Sequence, residues 1–111
     1  MVYPLQDMVV ADFGNAPIAI MSMDRSVHAI RSLVRRAAEV KIESGENVIP
    51  IIVGVDHSLM DPDVAALTDV YGKGNVGVIH FDAHYDAGKY MMGHLIGHGM
   101  PVYRLIEEGL V

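Results

Sequence analysis

Apolar residues in this chain come in short unbroken blocks rather than alternating with polar ones. Blocks at 7–12 (DMVVAD), 47–53 (NVIPIIV) and 75–81 (NVGVIHF) have the length of strands. Between the first two, the period changes. Over 24–44, Val27, Ile30, Val34, Ala37 and Val40 recur at three- and four-residue steps, with Arg31, Arg35, Arg36 and Lys41 between them. That spacing predicts a helix, and Gly45 follows as a stop. A second, less regular helical stretch is expected over 54–71, and a last one from about 98 to Glu108, closed by Gly109. Gly14-Asn15-Ala16-Pro17 and Gly72-Lys73-Gly74 read as turns. Continuous apolar strands imply burial on both faces. The expected class is therefore α/β, a parallel sheet with flanking helices. In such sheets ligands gather beyond the carboxyl ends of the strands.

Two of the blocks run into ligand-type residues at those ends. Gly54-Val55-Asp56-His57-Ser58 follows one, and Asp82-Ala83-His84-Tyr85-Asp86 follows the other. If the strands are neighbours, His57 converges with the second cluster. In extended backbone, positions i, i+2 and i+4 point the same way, so Asp82, His84 and Asp86 would share one face. Carboxylates with neutral imidazole suit Mn²⁺, Zn²⁺ or Fe²⁺. An aspartate between two cations can bridge them, and without a cation the close carboxylates repel. Two aspartates around a histidine also occur as solvated loop starts with an N-cap. The paired occurrence at successive strand ends is what favours a metal. Asp56 and Ser58, and likewise Asp61 and Asp63 around Pro62, read as helix caps. His80, inside an apolar run, reads as a satisfied interior histidine, and His28 as structural or exposed. His94 and His98 are four apart, but Gly93, Gly97 and Gly99 argue against a helical HxxxH pair. A histidine on that loop could instead shuttle protons. Met91 and Met92 read as packing residues, and Glu107 and Glu108 as a solvated helix end.

Composition narrows the partners. With 111 residues, 51% of them hydrophobic and 20% charged, one globular domain over 1–111 is expected. The net charge of -6, with no basic block, argues against nucleic acid and fits a metal or a cationic substrate better. There is no cysteine, which excludes disulfides and thiolate metal sites and is compatible with the cytoplasm. The opening MVYPLQDMVV lacks the features of a signal peptide. No apolar run approaches the roughly 20 residues of a membrane helix.

Taken in order, these stretches resemble the ureohydrolase family of arginase, agmatinase, guanidinobutyrase and their relatives. Gly54-Val55-Asp56-His57-Ser58 is similar to the family's GGDHS motif, Asp82-Ala83-His84-Tyr85-Asp86 to DAHxD, and His98-Gly99-Met100-Pro101 to its HG(T/Q)P-type motif. VVADFGNAPI and VYRLIEEGLV resemble segments before and after these. The resemblance covers nearly the whole chain. It implies an arginase-like three-layer α/β fold with two manganese ions per complete site. The family's chemistry is attack of activated water on a guanidinium carbon, releasing urea and an amine. By the same resemblance, His57 and Asp86 would bind one manganese and His84 the other. Asp82 would bridge them, and His98 would transfer protons or position substrate.

Two departures shape the expectation. Val55 stands where the motif has its second glycine, and its β-branched side chain restricts the backbone. The family's later DxD motif and guanidinium-holding Glu have no counterpart among these 111 residues. The resemblance therefore covers an amino-terminal to central portion, a partial domain with an incomplete sheet. An exposed edge and apolar surface should follow, covered by an oligomer or an additional polypeptide. The expected function is manganese-dependent hydrolysis of agmatine or a guanidino acid, with the isolated chain inactive. Tyr85 and KYMMGHLIG are expected to line the entrance. The alternatives are a non-catalytic truncated or regulatory subunit, and a zinc deacetylase-like hydrolase.

Overall fold

A computed structural model describes residues 8–54, 56–90, 93 and 96–111. Helix α1 spans Met23–Glu39, a 3₁₀ turn spans His57–Leu59, α2 spans Met60–Tyr71 and α3 spans Pro101–Glu107. Among the described residues, no helix is long and apolar enough to cross a membrane.

Helix α1 starts where Ser22 accepts the Arg25 N–H, with Asp24 in the first turn against the positive end of the helix. Ser26 ties the preceding segment down. Its buried Oγ accepts the Ala19 N–H at 3.0 Å and lies 3.1 Å from the carbonyls of Ala19 and Ser22. The buried stripe of Ile30, Val34 and Ala37 follows the expected helical spacing. The helix ends at Glu39, earlier than the expected limit at 44. β-branched Val40 and Ile42 leave the helix for a turn. There Val48 N–H bonds to the Val40 carbonyl and Ile42 N–H to the Glu46 carbonyl, each at 2.9 Å. Gly45, at φ +90°, supplies the left-handed residue of that turn.

Helix α2 lies between the other two. Ala66 faces Ile30 and Val34 of α1, with Leu59 and Ala16 alongside. Val64 and Ala65 meet Leu105 and Leu110, with Met60 and Val76 alongside. Across the surface, Arg31 makes a two-pronged bond to Asp69 at 2.8 and 2.7 Å. Gly109, at φ +62°, closes α3 as expected. The Leu110 N–H returns to the Leu105 carbonyl and the Gly109 N–H to that of Ile106. This Schellman closure folds Leu110 into the core.

Asp61 and Asp63 do not cap α2, which starts without a side-chain cap bond. Asp61 is buried instead, with the Arg104 Nε–H donating to it at 2.8 Å.

The parallel sheet is also not formed among the described residues. Only an isolated antiparallel bridge, Lys41 to Asn47, is present. The apolar runs are extended but unpaired, with Ile49 at 85%, Val53 at 90% and Phe81 at 92% exposure. A strand that is apolar on both faces is stable only with ladder partners and covering layers. Without a ladder these apolar side chains stay exposed.

Candidate metal centre

The two ligand-bearing segments do converge. Asp56 accepts the Ser58 N–H at 2.7 Å and caps the 3₁₀ turn, which places His57 at its first residue. That bond is the main cause holding the Asp56 carboxyl below the usual range, and the charges of His98 and His57 add to it. Gly54 is required here, because an added Cβ would stand 1.8 Å from Leu59 Cδ1. Leu59 packs against Ile30, Val34 and Ala66, so it would have to shift within that contact.

In the other segment, Asp82 Oδ1 accepts the His84 N–H at 2.8 Å. This bond leads the causes that lower the Asp82 carboxyl, ahead of the charges of His80, His57 and His84. Asp86 adopts φ +44°, and its carbonyl accepts the Val102 N–H at 3.2 Å, which ties the loop to α3. His57 Nδ1 lies 2.5 Å from Asp86 Oδ2 and 4.0 Å from Asp82 Oδ2. His80 Nε2 lies 3.7 Å from the same Asp82 Oδ2, and its ring stacks on His57 with centroids 5.0 Å apart. His84 Nδ1 lies 3.5 Å from the other oxygen, Oδ1. Asp82 therefore presents its two oxygens to different histidines.

The three positions expected on one face do not share it. The chain bends at Ala83 and His84, so Asp82 and Asp86 face His57 while the His84 side chain is 79% exposed. His98 is on the exposed turn before α3. His94, Val55, Met91 and Met92 lie outside the described residues.

His80, expected to be a satisfied interior histidine, is half-buried, and its Nε2 has no hydrogen-bond partner among the described residues. The signal was available, since it stands two positions before Asp82 in one extended run and so points to the same side.

A cavity of about 450 Å³ opens beside the cluster, lined by Asp56, His57, Asp63 and Asp82 with Ile52 and Met60. Asp63 Oδ1 is buried without a partner among the described residues. Burial pushes this carboxyl from 3.8 up to about 7. The fold therefore favours its neutral form, and stability is lost as pH rises from about 4 through about 7. Asp63→Asn is expected to remove that loss. The variant should be about 2 kcal/mol more stable at pH 8, allowing for partial solvent screening, and the gain should vanish towards pH 4. Chemical denaturation across that range measures it.

The sequence model describing the arginase family matches residues 1–111. The chain is 32% identical over 108 residues to a mitochondrial agmatinase of Gallus gallus, covering 97% of this chain and 29% of that protein. A guanidinobutyrase of Pseudomonas aeruginosa is also 32% identical, covering 97% of this chain and 31% of that protein. A mitochondrial arginase of Medicago truncatula is 32% identical over 102 residues, covering 91% of this chain and 30% of that protein. The chain thus spans about three-tenths of the length of these curated relatives.

Proposed function

Because the chain belongs to the arginase family, we propose that it supplies part of a manganese site that hydrolyses a guanidino compound to urea and an amine. The substrate class is agmatine or a guanidino acid, after the names of the relatives. One observation carries the reading. His57 meets Asp86 and Asp82 across a separation of more than twenty residues, where the family motifs fall.

The donor set fits the ion, since imidazole and carboxylate without thiolate suit manganese. His57 and Asp86 would hold one ion and His84 the other, with Asp82 between them. The opposed directions of the two Asp82 oxygens support that bridging role. When bound, such a pair supplies Lewis-acid polarisation and a water acidified towards neutral pH. Asp56 and Asp82 make the cavity acidic, which favours entry of a guanidinium cation. His98 is assigned proton transfer or substrate positioning. A cytoplasmic location and assembly into an oligomer belong to the same reading.

The exposed runs at 47–53 and 75–81 favour a second reading, in which the chain is a non-catalytic subunit seated against a longer relative. Urea release from agmatine, arginine and guanidinobutyrate, by protein purified in its native assembly, separates the two. Hydrolysis predicts release that needs manganese and vanishes in Asp82→Ala. An assembly that binds manganese but yields no urea from any of the three contradicts it.

A further inference from the structure

We propose that Asp63 is a specificity-determining residue. It takes the ammonium end of a guanidino amine in the cavity beside the metal centre, and so sets this site for a guanidino amine over a guanidino acid. The inference rests on the guanidino-compound reading above and narrows it.

The fold gives Asp63 the place for this. Met60, Asp63 and Val64 stand at helical spacing on one side of α2, and all three line the cavity that His57 and Asp82 also line. Asp61, two positions earlier, turns instead to Arg104. The two aspartates of this helical turn therefore differ in duty. One is paired in the packing between helices, and the other meets the cavity. Asp63 Oδ1 is buried with no partner among the described residues. A buried carboxyl left in this way costs free energy that a hydrogen-bond donor can recover. Burial favours its protonated form. A cation seated against it would favour the carboxylate, and the proton would leave to solvent.

The rest of the lining selects the kind of donor. A volume of about 450 Å³ is in the range of small-ligand sites. Ile52, Leu59, Met60 and Val64 form an apolar wall suited to a methylene tether. Asp56 and Asp82 add negative charge, and no lysine or arginine lines the cavity among the described residues. A guanidino acid would bring its carboxylate here with no cation to meet it, at a cost in desolvation and like-charge repulsion. A guanidino amine is cationic at both ends. Its guanidinium would lie towards Asp82 and the metal centre, and its ammonium towards Asp63.

The test compares agmatine with guanidinobutyrate, which differ chiefly at the end remote from the guanidinium. Each is titrated by calorimetry into the protein in its native assembly without added manganese, and urea release is followed with manganese present. The expected result is agmatine bound at least about tenfold more tightly than guanidinobutyrate, the scale of one charged hydrogen bond. Asp63→Asn should abolish that preference by weakening agmatine alone. In urea release it should raise KM for agmatine and leave kcat nearly unchanged. Asparagine is close in shape and removes the buried carboxyl, and the unmutated protein gives the preference independently of any variant. Equal affinity for the two compounds in the unmutated protein overturns the proposal, as does agmatine binding unmoved by Asp63→Asn. Urea release from agmatine with KM unmoved by Asp63→Asn would sink this inference alone. Asp63-dependent agmatine binding without urea release would sink only the hydrolytic reading.

Discussion

Replacing Asp82 with alanine is expected to weaken divalent-cation binding on the order of a hundredfold or more, beyond the loss usual for a residue that merely supports a ligand. Asp82 is the one carboxylate that approaches three histidines. Its Oδ2 faces His57 and His80, and its Oδ1 lies beside His84. Without it, the imidazoles keep their lone pairs but lose the negative charge that offsets a cation. The side chain also has a local duty, accepting the His84 N–H at 2.8 Å. Asp82→Asn separates the two roles, because its amide oxygen can keep that bond without the charge. The asparagine variant should hold the bend at Ala83 and His84 and still bind poorly. Following free Mn²⁺ by EPR reads both affinities, and unchanged binding in Asp82→Asn would show that the charge is not used.

Arg104→Ala is expected to lower the unfolding free energy by about 3 kcal/mol, measured by chemical denaturation. Asp61 is 4% exposed, and Arg104 holds it with an Nε contact of 2.8 Å. Alanine at 104 leaves a buried carboxylate uncompensated in the packing between α2 and α3. The solvated contact from Arg104 to Glu108, at 2.6 Å, contributes little to that loss. Replacing both partners together, as Asp61→Leu with Arg104→Met, should recover most of the stability. Neither buried charge then remains.

The helices were legible because their information is local. Three- and four-residue spacing marked the buried stripe Ile30, Val34 and Ala37, and Gly109 marked the end of α3. The convergence of His57 with Asp82 and Asp86 was legible from the order of elements. What could not be read depended on contacts distant in sequence. The blocks at 47–53 and 75–81 have strand composition, but pairing depends on neighbours distant in sequence, and no ladder forms among the described residues. Asp61 beside Pro62 has the appearance of a cap, and only Arg104, 43 positions later, makes it a buried ion pair. The face-sharing of Asp82, His84 and Asp86 assumed extended backbone. The chain bends where Asp82 accepts the His84 N–H, and the His84 side chain is left exposed.

The central claim is that two segments distant in sequence, one carrying His57 and the other Asp82, form a single cation site. Calorimetric titration of Mn²⁺ into the chain and into His57→Ala and Asp82→Ala tests it most directly. The account predicts saturable binding that is lost in both variants, although the residues are 25 positions apart. Binding that survives His57→Ala would contradict it, by showing that the second segment holds the ion alone.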